Sequence, residues 1–232
     1  MTNLQIAKEA YEKAVEIEGR SDSNIHAFKD VFQPELNEIQ ADQTLSRTGK
    51  NQKREELIAK MGKSMMDLFK KEKTEHQEMC VKANVRAQSV LVEPTKKPHE
   101  TDIALHDKQM QELKMESLFN SPKAVSDKIK QYAAIVKDPY IAEQMINDLP
   151  GIYDRLNSRG AQTQEINTLS QVYNTLKLAT VTPEREEAQR IYDATKDRSK
   201  KNLYLPLHEN FLRERLGTKY SNNINNPNYF ID

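Results

Sequence analysis

The chain has no tryptophan, one cysteine and six glycines in 232 residues, and aromatics make up 6% of it. A lone Cys80 excludes an internal disulfide framework, so packing and hydrogen bonds must hold the fold. Scarce glycine and scarce aromatics count against a strand-and-turn protein, where both are frequent. No apolar run approaches the roughly twenty residues that a membrane-crossing helix needs. Residues 1–19 place Glu9, Glu12, Glu16 and Glu18 where a secretory leader needs an uninterrupted apolar stretch. The expectation is a chain with no membrane span and no signal peptide, working in the cytoplasm or within a large assembly. An excess of one charge is also missing: 35 Lys and Arg balance 35 Asp and Glu, so no global field draws in nucleic acid or an anionic membrane.

What is present is helix. Charged residues make up 30% of the chain and mean hydropathy is −0.84, values that suit polar helices around modest cores. Residues 2–18 space Leu4, Ala7, Ala10, Tyr11, Ala14 and Ile17 at three and four, with Gly19 as the stop. Pro34 closes a short apolar piece, and a second helix is expected from Glu35 to Leu45. From Lys53 to Cys80 the pattern is clearest, while residues 81–93 read equally as helix or extended chain. Ser121-Pro122, Asp138-Pro139 and Thr182-Pro183 each place a capping acceptor directly before a proline suited to the first helical turn. Pro150-Gly151 reads as a stop, and Gly217 as the C-cap of a helix over 207–216.

These elements predict an all-α fold, with extended or antiparallel N-terminal helices followed by a C-terminal helical bundle. The expected divisions are an N-terminal helical region over 1–93, a Pro/Lys linker over 94–100, a bundle over 101–217 and a polar flexible tail over 218–232. The last rests on a segment rich in asparagine that ends in Tyr229, Phe230, Ile231 and Asp232.

Signatures of catalysis break off. His99-Glu100 and His208-Glu209 both open a His-Glu-x-x-His pattern, but the fifth positions are Ile103 and Leu212, so the second metal ligand is missing. Gly49-Lys50 lacks the first glycine, the hydroxyl residue and the preceding strand of a phosphate-binding loop. His76 and Cys80 stand four apart but make only two of the four ligands of a closed zinc site, and His99, Glu100, Asp102 and His106 cluster near the linker, where polar segments collect such residues by chance. No metal and no cofactor is expected.

Two segments suggest contact with partners. Residues 1–42 carry four cations against nine carboxylates, and residues 47–73 reverse this with nine cations against four. Within the basic segment Leu57, Met61, Met65, Leu68 and Phe69 form one apolar stripe, flanked by Lys60, Lys63, Lys70 and Lys71. Adaptable thioethers with basic flanks suit a groove on another protein, and burial in the chain's own core is the competing reading. Tyr229 and Phe230 are the second candidate, as an anchor at the end of the tail. The resulting expectation is a non-enzymatic helical interaction protein, a structural or adaptor subunit among other protein subunits of a larger assembly such as a phage particle or secretion machinery. Two alternatives come from other classes. One is a small helical enzyme or delivered effector with its site near His99–His106 or His208-Glu209; the other is a nucleic-acid-binding module using 47–73.

Overall fold

The computed structural model describes residues 1–230, and among them there is no strand. The fold is all-α. The helices are α1 (Asn3–Gly19), α2 (Ser21–Ala41), α3 (Arg47–Val92), α4 (Glu100–Phe119), α5 (Pro122–Ile135), α6 (Pro139–Ser158), α7 (Thr163–Ala179), α8 (Pro183–Thr195), α9 (Pro206–Leu216) and α10 (Thr218–Ser221). No helix among the described residues is long and apolar enough to cross a membrane.

The proline-led starts follow the sequence signals. Ser121 Oγ accepts from the Ala124 amide at 3.4 Å, Asp138 Oδ1 from Tyr140 and Ile141 at 2.9 and 3.1 Å, and Thr182 Oγ1 from Arg185 at 3.2 Å. Gly217 ends α9 at φ 92°, a conformation that a side chain would strain.

Two internal prolines do not act as stops. Helix α2 runs from Ser21 across Pro34, and α6 runs across Pro150-Gly151 to Ser158. Both prolines lie on exposed faces, while Phe32 and Leu36, and likewise Leu149 and Ile152, are buried on either side. Water can serve the carbonyl that each ring leaves free, and burial of the flanking side chains holds the helix together.

The chain divides into two compact units, but not at the expected boundaries: one unit is Met1–Leu91 with the segment from Ala188 onward, the other Val92–Glu187. The expected 101–217 bundle is thus cut. Residues from Ala188 on belong with the N-terminal helices, because Ala188 and Ile191 pack on Ala83, Ala87 and Val90 of α3 and on Ala7 and Ala10 of α1. Asn84 secures that contact by donating to Tyr192 O at 3.3 Å and Thr195 Oγ1 at 3.2 Å.

In the first unit the larger core gathers Ile17, Phe28, Phe32, Leu57, Met65, Phe69, Tyr204, Leu212 and Tyr220. The supposed flexible tail supplies part of it. Tyr220, Ile224 and Asn225 are buried, and Asn225 pairs with the Tyr204 backbone like a peptide group, accepting from its amide and donating to its carbonyl, both at 2.9 Å. An asparagine that reads as loop composition here satisfies buried main chain.

The second unit packs α4 to α7 around Val125, Ile129, Met145, Ile152, Val172 and Leu176. Its entry segment, the expected linker, is tied down. Glu143 accepts from Thr95 at 2.5 Å and from Arg185 at 2.6 Å, and Arg185 also donates to Glu93 O at 2.9 Å.

Candidate functional site

The methionine stripe of α3 faces inward. Leu57, Met65 and Phe69 are buried in the core of the first unit, with Met61 and Leu68 half-buried at its edge. Met61 and Leu68 keep part of their surface, whereas Leu57, Met65 and Phe69, closed in this way, offer no surface to a partner and serve core packing. Met66, which the stripe omits, is buried with them. Lys60, Lys63, Lys70 and Lys71 are exposed. Lys73 differs from them: its Nζ donates to Lys201 O at 2.6 Å and burial lowers its pKa. Tyr229 is 78% exposed, whereas Phe230 stacks on Tyr220 at 5.3 Å between ring centroids. The tail anchor is therefore used in part on the chain itself; Ile231 and Asp232 lie outside the described residues.

A carboxylate missed by sequence reasoning organises the first unit's polar interior. Glu18, at the end of α1, accepts from Arg198 Nε at 2.7 Å, Lys201 Nζ at 2.7 Å and His76 Nε2 at 2.9 Å. Burial alone would raise its pKa, but the bonds from Arg198, Lys201 and His76 outweigh burial and hold it at about 2. Cys80 Sγ approaches the same Nε2 at 3.6 Å, while His76 Nδ1 is sealed without a partner. A thiol activated by an imidazole needs one ring nitrogen for the thiol and the other for an orienting group. Here one nitrogen faces both, and burial raises the Cys80 pKa. The arrangement fastens α1 and α3 to the returning segment at Arg198 and Lys201; it does not prepare a nucleophile.

His208 is likewise absorbed by structure. Its Nδ1 accepts from the Leu205 amide at 3.2 Å and Nε2 meets Asp22 Oδ1 at 2.7 Å, while Glu209 accepts from Asn225 at 3.2 Å. Glu72 accepts from the Tyr204 hydroxyl at 2.5 Å and from Asn24 at 2.8 Å.

The two histidines near the expected linker go to different places. His99 caps α4, its Nδ1 accepting from the Thr101 amide at 3.3 Å, and His106 turns into the second unit. Among the described residues no group of three or more His, Cys, Asp or Glu is placed to hold a metal. His106 instead meets Tyr132, Nδ1 to hydroxyl at 2.7 Å with the rings stacked 5.8 Å apart, on the floor of a cleft of about 280 Å³. Burial lowers the His106 pKa and raises that of Tyr132, so both are neutral near pH 7.

A second concavity in the same unit, about 500 Å³, runs between α6 and α7 over Ile146, Leu149, Pro150, Ile166 and Leu169, with Tyr153 and Tyr173 on its sides. Those tyrosines are 40% and 43% exposed. Neither is marked by sequence spacing; the only signal is an aromatic standing off the inward face of its own helix.

The geometry defines an all-α protein of two helical units, with internal ion clusters and two open concavities in the second unit. No protein-family model, curated protein or solved structure matches the chain.

Proposed function

We propose that this is a non-enzymatic helical interaction protein, a structural or adaptor subunit that engages another protein chain of a larger assembly. The observation that carries this reading is the α6–α7 groove, an apolar floor between two half-exposed tyrosines. Tyrosine brings large, stiff contact area with a polar tip, and aromatics concentrate where binding energy is greatest. The groove suits the apolar face of an amphipathic helix from a partner subunit, held by residues three and four apart. Such a protein acts in the cytoplasm or inside the assembly to which it contributes.

The test is cross-linking in native cells followed by affinity purification and mass spectrometry, with the wild type beside Tyr153→Asp/Tyr173→Asp. Partners at fixed stoichiometry, cross-linked to α6 or α7 and lost in the double variant, are expected. Both tyrosines are part-exposed, so the variant's circular dichroism should stay that of the wild type. Cross-links that map elsewhere, or partners retained by the variant, would remove the groove from the account.

A further inference from the structure

His106 is built as a binding group as well as a core residue. Its ring is 3% exposed, and Nδ1 is committed to the Tyr132 hydroxyl. Nε2 has no protein partner, and unlike His76 Nδ1 it is not sealed from solvent. The ring lines the cleft between α4, the end of α5 and the start of α6. One nitrogen fixed and the other open gives a hydrogen-bonding point whose direction is set before anything binds.

We propose that this cleft binds a small uncharged molecule made of an apolar ring and one hydroxyl, a phenol being the simplest member. Size, walls, charge and hydrogen bonding each narrow the class. A cleft of about 280 Å³ lies below the roughly 300–1,000 Å³ that holds drug-sized ligands, which leaves room for a single ring with short substituents. Leu105, Ile135, Val136 and Ile141 supply apolar walls.

Both signs of charge stand at the lining, Asp102 and Asp138 against Lys137, and Asp138 Oδ1 is already taken by the Tyr140 and Ile141 amides. A carboxylate would meet Asp102, an ammonium would meet Lys137, and neutral His106 and Tyr132 provide no counter-ion on the floor. The hydrogen bond has two possible senses. If Tyr132 donates to Nδ1, Nε2 carries the proton and donates into the cleft; if Tyr132 accepts, Nε2 is the acceptor. A hydroxyl answers either tautomer, because it is both donor and acceptor.

The experiment is a titration of the full chain, labelled with ¹³C in histidine, with 4-methylphenol, toluene and 4-methylbenzoate. Saturable shifts of the His106 ring signals are expected with 4-methylphenol. Toluene, lacking the hydroxyl, and 4-methylbenzoate, carrying charge, should each bind about tenfold more weakly or less. His106→Phe should erase the preference for the phenol over toluene. Because that change is in the core, Leu105→Trp provides a second arm: Leu105 is exposed at the cleft, so the variant folds and obstructs the phenol. Absence of saturable shifts in the wild type would overturn the proposal. So would equal affinity for phenol and toluene, or unchanged phenol binding in both variants.

Discussion

Gly62 sits in the middle of α3, where glycine is the poorest ordinary choice, and Gly62→Ala in an exposed helix interior would stabilise by about 1 kcal/mol. Here the sign is expected to reverse. A Cβ built at position 62 overlaps the ring of Tyr220, which lies directly on the α3 backbone. The obstacle is not a flexible tip but the ring itself, buried and stacked on Phe230. Displacing a buried tyrosine forfeits roughly 2–3 kcal/mol of burial and ring contact. Net of the helical gain, Gly62→Ala should destabilise the first unit by about 1–2 kcal/mol. Urea unfolding followed by circular dichroism gives the global number, and amide exchange over 218–230 locates the loss. The decisive measurement is the double-mutant cycle. In a Tyr220→Ala background the obstruction is gone, so Gly62→Ala should now stabilise by about 1 kcal/mol, a coupling of roughly 2–3 kcal/mol. A stabilising effect of Gly62→Ala in the wild type, or additivity across the cycle, would refute the packing argument.

Two further perturbations test the Glu18 cluster. Its pKa falls from 4.5 to about 2 on folding, so the ionised group contributes stability that is present above about pH 4.5 and lost as pH falls toward 2. His76, whose pKa burial lowers, acts in the same sense below its ordinary value of 6.5. Solvent at the cluster edge screens part of the effect, and Glu18→Gln should therefore flatten the acid limb of the stability profile by about 1–2 kcal/mol; parallel acid limbs in variant and wild type would dismiss the assignment. Cys80 is buried with its thiol pKa raised, so disulfide-exchange labelling at pH 8 should run at least ~100-fold slower in the native protein than in denaturant. Comparable rates would mean that the site opens freely.

Helix identity was legible wherever one local signal decided it. Ser121, Asp138 and Thr182 cap as their spacing implies, and Gly217 turns where a C-cap is required. Pro34 and Pro150 misled because proline is a local penalty of about 3 kcal/mol that tertiary burial can outweigh. Phe32, Leu36, Leu149 and Ile152 supply that burial, and sequence does not say which residues will be anchored. Partner choice between helices was also hidden. Ala83 and Ala87 show only that some backbone comes close; that it belongs to α8 is decided by contacts more than a hundred positions away, as Asn84 with Tyr192 and Thr195 illustrates.

The same distance separates legible chemistry from the chemistry that forms. His76 and Cys80 attract notice as neighbours on one helix face, yet the group that fixes their state is Glu18, and its cations stand 180 and 183 positions further along. Composition registers these residues as balanced charge, whereas the burial of His76 and most of Glu18 and Arg198 converts that balance into a fastening of α1 and α3 to the segment at Arg198 and Lys201. For His106 the order is reversed: the sequence sets it among acidic neighbours, and folding buries its ring and commits Nδ1 to Tyr132, 26 positions on. A histidine among exposed carboxylates would be raised toward the charged form; one buried against a phenol stays neutral. Burial and the bond to Tyr132 are what suit the position to an uncharged ring bearing one hydroxyl.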